Sequence, residues 1–448
     1  MEFAIKLAQF LLSLSILIIL HELGHFIPAK LFKTRVEKFY LFFDVKYSLL
    51  KKKIGETEYG IGWLPLGGYV KISGMIDESM DTDQMAGEPQ PWEFRSKPAW
   101  QRLIIMLGGV TVNFILAFII YIGMSYVYGD YFIKNSDIKD GIWVTNKVVE
   151  KVGLKTGDKI IAIDNDTIQR FTPAINNKIL TAKVITVERN KEIVKIKMPN
   201  NFIGNFIEGK RSAVVSLRMP FVVGKLSDDS KNKSALKPKD IITSIDGNKV
   251  KYIDQVTTYL DNNKNKKIAA TILRDEKELP IELQINKDGK LGVALAALKE
   301  DNLEKMGLYK ISSQKYSFLE SIPVGISKGK NQLFDYAKQL KAIFSPSTGA
   351  YKGVGGFGAI FNVFPSSWSW EAFWSITAIL SIMLGVMNLL PIPALDGGHV
   401  LFLLFEIISG KKPSDKFMEK AQMVGIVLLI ALLLFANGND IYKAIVGK

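Results

Sequence analysis

Apolar residues gather toward the two ends of this 448-residue chain. Four stretches run nearly uncharged for about the 20 residues that a helix needs to cross a bilayer. They are about Phe3 to Ile27, Leu103 to Tyr128, Phe373 to Leu390 and Met418 to Ala436. The first could be read as a signal peptide, but it lacks an A-x-A-like cleavage site and a clear basic leader. Between the second and third stretches, about 129 to 371, the pattern changes to short runs such as "KVITVERN" and "EIVKIKMP", which predict β-strands.

That centre repeats itself. "GLKTGDKIIAIDN" at 153–165 returns as "ALKPKDIITSIDG" at 235–247, with Leu154, Asp158, Ile163 and Asp164 matching Leu236, Asp240, Ile245 and Asp246 at a constant offset. Each copy reads as a turn, a short strand and an Asp-Asn or Asp-Gly turn. Two β-rich domains in tandem are therefore expected, and the pattern resembles PDZ domains, which bind extended peptides at a sheet edge. Further on, "SIPVGISKGKNQLFDYAKQLKAIF" is amphipathic and fits either a segment lying on a membrane interface or ordinary surface structure. "GAYKGVGGFGAIFNVFPSSWSW", rich in glycine and aromatics, reads as a loop touching the bilayer or, equally, as ordinary surface structure.

Composition agrees with this division. Hydrophobic residues make up 48% and charged residues 23%, which suits membrane spans joined to a hydrophilic domain. The absence of cysteine excludes disulfides and thiolate metal ligands. A net charge of +14 points to nucleic acid or to an anionic membrane surface. No nucleic-acid-binding motif is present, so the lipid bilayer is the expected partner and nucleic acid is not. Basic residues flank the spans on one side: Lys30, Lys33, Arg35 and Lys38 after the first, Arg95, Lys97 and Arg102 before the second, and Lys411, Lys412, Lys416 and Lys420 between the third and fourth. Such residues stay in the cytosol. Both termini and the central β-rich segment are then expected outside it, in a cytoplasmic (inner) membrane.

Ionisable groups inside an apolar stretch are costly and mark function. The first span carries "HELGH". His21 and His25, four apart, share one helix face, and Glu22 completes H-E-x-x-H, in which two imidazoles bind zinc and the glutamate serves as base. The bland alternative is a pair of satisfied polar residues at a span end. Catalytic zinc usually has three protein ligands and an open position. The remaining histidine, His399, lies in "NLLPIPALDGGHV" at 388–400, which also offers Asp396. Pro391 and Pro393 cannot continue a regular helix, so the backbone there must be buried in protein or line a wet cavity. On chemistry alone Asp396 and His399 are both candidates for the third ligand. A zinc transporter would not need Glu22 or the repeats. A membrane-tethered PDZ scaffold would leave both polar motifs idle, and an anchored soluble-type zincin would place HELGH outside the apolar stretch.

HELGH in a first span, NLLPIPALDGGH in a late span and tandem PDZ-like domains between them resemble the site-2 protease family, the intramembrane zinc proteases of peptidase family M50. The resemblance covers nearly the whole chain. It implies a polytopic α-helical membrane protein of four transmembrane helices, with a membrane-associated β-hairpin and two tandem β-rich PDZ-like domains. The expected order is 1–128, the first two spans with HExxH and the hairpin; 129–218 and 219–300, the two PDZ-like domains; 301–371, a connector; and 372–448, the last two spans with the LDG motif. The resemblance also implies that Zn2+ is held by His21, His25 and Asp396, with His399 a neighbour and Glu22 the base. Asn388, with Pro391 and Pro393 of the same motif, would meet the substrate. Residues 58–74, "EYGIGWLPLGGYVKISG", match a family hairpin that dips into the membrane, so Gly60, Gly62, Gly67 and Gly68 are expected at the substrate strand. Relatives often carry Gly-x-Gly before it, whereas this chain has Phe42-Phe43-Asp44. The implied reaction is regulated intramembrane proteolysis of single-pass membrane proteins, for example anti-sigma factors or remnant signal peptides, with the outer domains screening substrates.

Overall fold

The computed structural model describes residues 1–75, 87–209, 213–296 and 300–446. The chain divides into two compact units: Met1–Gly129 with Lys315–Lys341 and Gly353–Lys448, and Asp130–Gln314 with Ala342–Lys352. The expected connector, 301–371, is therefore shared between them.

Among the described residues, four helices of the first unit are long and apolar enough to cross a membrane. They are α1 (Glu2–Leu31), α2 (Ala99–Val127), α5 (Trp370–Asn388) and α7 (Asp415–Val446). Between α2 and α5 lie α3 (Phe318–Ile343) and α4 (Phe357–Val363), and α6 (Asp396–Ser409) precedes α7. Apolar packing alone does not fix a register between greasy helices; small residues and polar contacts do. Gly24 of α1 lies so close to α2 that a Cβ on it would stand 2.4 Å from the Gly108 carbonyl oxygen. Ser13 bonds Thr377 at 2.9 Å, Ser381 donates to the Asn113 carbonyl at 2.7 Å, and Arg102 pairs with Glu406 at 2.5 Å. These link α1 to α5, α5 to α2 and α2 to α6.

Two expectations for the connector change. The amphipathic helix forms as α3, but it packs through Gly325 and Gly329 onto Ile122 and Phe118 of α2 rather than only lying along an interface. The glycine-rich stretch contains α4, whose start is capped by α7: Asp440 accepts from the Gly356 and Ala359 amides, both at 2.9 Å.

The loop between α1 and α2 holds a sheet of β1 (Val36–Leu41), β2 (Phe43–Ile54), β3 (Thr57–Leu64) and β4 (Tyr69–Ile72), in the order β2-β3-β1-β4. Residues 58–74 do not form a hairpin of their own. β1 lies between β3, to which it is parallel, and β4, to which it is antiparallel. The hairpin is β2 with β3. Alternation in a sequence marks strands and their faces but not their partners. Here β1, with Val36 and Tyr40 fully buried, takes the central place.

The second unit shows the repeat as two four-stranded sheets of one topology. The first contains β6 (Lys159–Ile163), β7 (Asp166–Thr167), β8 (Val184–Arg189) and β9 (Glu192–Lys197). The second contains β10 (Ile241–Ile245), β11 (Asn248–Lys249), β12 (Lys267–Arg274) and β13 (Lys277–Gln284). In each, the repeated aspartate is locked by an arginine: Asp158 with Arg189 at 2.7 Å, and Asp240 with Arg274 at 2.7 Å. The turn aspartates Asp164 and Asp246 both adopt left-handed φ, +52° and +43°. The copies are not independent. Tyr252 of the second is buried in the hydrophobic core of the first, and Arg218 lies over its ring while pairing with Asp254 at 2.6 Å. The unit opens with β5 (Asp130–Lys134), which forms a stem with β14 (Ile311–Gln314), antiparallel with Ile133 opposite Ile311, and pairs at its other edge with Arg170–Phe171 to complete a three-stranded sheet.

Candidate active site

α1 carries HELGH into its last turns, so His21 and His25 project from one buried face. α5 stops at Asn388 ahead of the prolines. The chain then turns through Ala394, which holds a left-handed φ of +78°. This turn is braced by α7: Gln422 accepts from the Ala394 amide at 3.1 Å, and Gly425 lies flush against the Pro393 carbonyl. Helix resumes at Asp396 itself, earlier than the two glycines suggest. Gly397 and Gly398 serve close packing rather than flexibility, since a Cβ at either would stand 2.2 Å or 2.6 Å from the carbonyls of Leu390 and Ile392.

These segments bring three donors together. His21 Nε2 lies 3.3 Å from His25 Nε2 and 3.3 Å from Asp396 Oδ2, and His25 Nε2 lies 3.4 Å from the same oxygen. A tetrahedral ion with ligands at about 2.0–2.1 Å sets its donors about 3.3–3.4 Å apart, so the triangle has the edge lengths of one face of a zinc site. The Asp396 Oδ2 atom is buried with no hydrogen-bond partner, which suits a cation. His25 Nδ1 donates to the Ile105 carbonyl at 2.9 Å, leaving Nε2 free to ligate. Gly109 of α2 presses on both rings: a Cβ there would lie 2.3 Å from His25 Nε2 and 2.6 Å from His21 Cε1. His399, one turn beyond Asp396, is outside the donor triangle.

A cavity of about 450 Å³ opens over the triangle. Glu22 lines it beside the imidazoles, together with Asn388, His399 and Gln422, and residues 68–72 of the β4 edge form one wall. Asn388 Nδ2 reaches within 3.1 Å of His21 Nε2. Of the expected substrate contacts, Asn388 and Gly68 line the cavity, whereas Gly60, Gly62, Gly67, Pro391 and Pro393 do not. The glycines have packing reasons instead. A side chain at Gly60 would strike the Tyr40 ring, at Gly62 the Phe43 carbonyl, at Gly67 the Phe43 ring, and at Gly68 the side chain of Ile18. Phe43 and Asp44, standing where Gly-x-Gly was expected, both line the cavity. Phe43 stacks on Tyr69, and the Tyr69 hydroxyl donates to Asp44 at 2.9 Å. Burial is the first cause, and this bond the second, that push the Tyr69 phenol well above its usual range.

Sequence reasoning missed Ile105, Gly109, Asn113 and Gln422. Asn113 carried a signal: an amide in the middle of an apolar span is costly and asks for a partner. It stands four residues after Gly109, on the same face of α2.

The family model described as peptidase family M50 matches residues 9–432. A putative zinc metalloprotease from Fusobacterium nucleatum is 29% identical over 96% of each chain. One from Xylella fastidiosa is 27% identical over 98% of this chain and 99% of its own. The regulator of sigma E protease of Haemophilus influenzae is 27% identical over 99% of this chain and 100% of its own. Among solved structures, the PDZ domain of an SdrC-like protein from Listeria monocytogenes is 24% identical over 19% of this chain with a TM-score of 0.16, too low to carry a fold argument. A family match running from the first span into the last, over a site assembled between those spans, has one meaning: this chain belongs to peptidase family M50 and is a multi-pass membrane metalloprotease of the site-2 type.

Proposed function

We propose that the enzyme hydrolyses peptide bonds within or beside the transmembrane segments of single-pass membrane proteins, with His21, His25 and Asp396 holding Zn2+ and Glu22 as general base. The observation that carries this reading is the donor triangle with edges of 3.3–3.4 Å beside a buried glutamate. When bound, zinc lowers the pKa of a water ligand to about 7 and polarises the scissile carbonyl. Glu22 takes the proton from the attacking water and hands it to the leaving amine. Asn388 holds the substrate backbone beside the metal. Pro391 and Pro393 act by ending α5, so that the turn can aim Asp396. A substrate helix hides its amides and must unwind to react. The outer edge of β4, unpaired in its sheet and forming a wall of the cavity, offers backbone groups to the unwound strand. Gly60, Gly62, Gly67 and Gly68 keep that sheet flat against its neighbours.

The basic residues beside the spans support a topology with the short connections in the cytosol and the β-rich unit outside the cytoplasmic membrane. Its two copies act as tandem PDZ-like domains that screen substrates by the size of their outer portion. The name of the Haemophilus influenzae relative fits anti-sigma factors as one substrate class.

The test is Glu22→Gln, which leaves every ligand in place. Zinc per purified chain should stay at the wild-type value, while cleavage of a model span falls by about 10²-fold or more. Retention of near-full cleavage would remove Glu22 from the mechanism.

A further inference from the structure

The geometry points to Asn113 as the positioning residue of His21: its side-chain carbonyl accepts the His21 Nδ1 proton and so turns Nε2 toward the metal. This rests on the ligand reading above. Asn113 is fully buried in α2, with the end of its side-chain amide assigned as Nδ2 3.0 Å from His21 Nδ1. Its backbone is fixed by the hydrogen bond from Ser381 Oγ to its carbonyl at 2.7 Å. Its Oδ1 is buried with no partner.

A histidine that ligates through Nε2 carries its proton on Nδ1, and that proton needs an acceptor. His25 has the Ile105 carbonyl. At His21 the amide of Asn113 is the group within reach of Nδ1. The two ends of a side-chain amide exchange by a half-turn with almost no change of shape, so which end faces a neighbour follows from the network. With the oxygen toward Nδ1, the amide accepts the proton that a ligating His21 must carry. The unpartnered Oδ1 thereby gains a donor. Gly109, one turn earlier on the same face, leaves room for the ring to lie where this bond holds it.

The test compares zinc affinity, by competition with a fluorescent chelator, for full-length wild type, Asn113→Leu and Asn113→Asp in detergent. Leucine is close in size but accepts nothing; aspartate accepts. Asn113→Leu should bind zinc about 10–100-fold more weakly, the usual cost of losing an outer partner of a metal-bound histidine. Asn113→Asp should bind within a few-fold of wild type or tighter. A purely packing role predicts the reverse order, because leucine suits an apolar span and a buried charge does not, and that order would overturn the proposal. Wild type failing to take one zinc per chain would instead overturn the ligand reading beneath it. Should neither variant fold, 15N-histidine spectra of the zinc-loaded wild type decide, since only three histidines contribute. His21 should show a protonated Nδ1 close to the Asn113 side-chain carbonyl carbon, and a bare Nδ1 would refute the assignment.

Discussion

At the scale of single residues, three positions in the helix separate Asp396 from His399. Asp396 is the first residue of α6, where the braced turn aims a short carboxylate at two imidazoles. His399 is one turn on, in the wall of the cavity. Asp396→Ala should therefore lose most of its zinc, by more than the 100-fold or so that outer-partner losses reach, and all activity. His399→Ala should keep the metal and part of the activity. Zinc per chain and cleavage of a model span, measured on both, check this; zinc lost from His399→Ala and kept by Asp396→Ala would exchange the roles. HELGH was legible because its two histidines and its glutamate sit within about one helical period, and the period is a local property. Asp396 was legible only as one of two candidates. Asn113 and Ile105 reach the histidines across a helix interface, at separations of 92 and 80 residues, and no local spacing announces such a contact.

At the scale of elements, the site exists because α1 and α2 touch backbone to backbone. Gly24 and Gly108 allow it, and Gly109 then faces the two imidazoles. The four apolar spans could be read from hydropathy, but which faces meet could not, since lipid tails and helix faces are equally apolar. The same holds for the sheet. Strand patterns were visible near 58–74, yet the insertion of β1 between β3 and β4 was not, because pairing is set by burial of β1 and not by alternation. The glycines give a graded expectation. Gly109→Ala places a methyl 2.3 Å from His25 Nε2, and α2 cannot retreat without breaking the Gly24 contact. It should weaken zinc binding about tenfold or more. Gly108→Ala, meeting the Gly24 carbonyl oxygen at 1.8 Å, should destabilise the protein by at least the 1–3 kcal/mol typical of overpacking. Gly123→Ala, on the same helix with nothing within 4 Å, should be neutral or gain up to about 1 kcal/mol from helix propensity. Thermal unfolding in detergent with zinc titration orders the three. If Gly108→Ala and Gly123→Ala proved equally stable, the tight α1–α2 contact would be wrong.

At the scale of the whole molecule, the sequence showed a duplication but hid how the copies are joined. The matched aspartates stand out at a constant offset because each closes the same local turn. The burial of Tyr252 in the first copy's core depends on three-dimensional packing and leaves no periodic trace. This matters for testing the screening role. Cutting out 135–295 alone would strand Leu303, Leu308 and Tyr309, which belong to that core. The stem offers a better boundary. Ile133 and Ile311 are opposite each other in β5 and β14, so joining Lys134 to Ile311 through a short glycine-containing turn removes both copies, with the Arg170–Phe171 strand at the other edge of β5, and keeps β5 and β14 as a hairpin. The donor triangle, the cavity and the four spans found among the described residues lie in the other unit and stay intact. If the β-rich unit screens substrates by the bulk of their outer portion, this deletion should cleave a small model span within a few-fold of the wild-type rate. It should also cut the same span carrying a folded outer domain, which wild type cuts poorly. The two substrates, assayed side by side on wild type and deletion, give a ratio that should collapse toward one. A deletion protein that still holds zinc and still spares the bulky substrate would place selectivity in the membrane unit, where the β4 edge and the Phe43–Tyr69 wall would have to account for it.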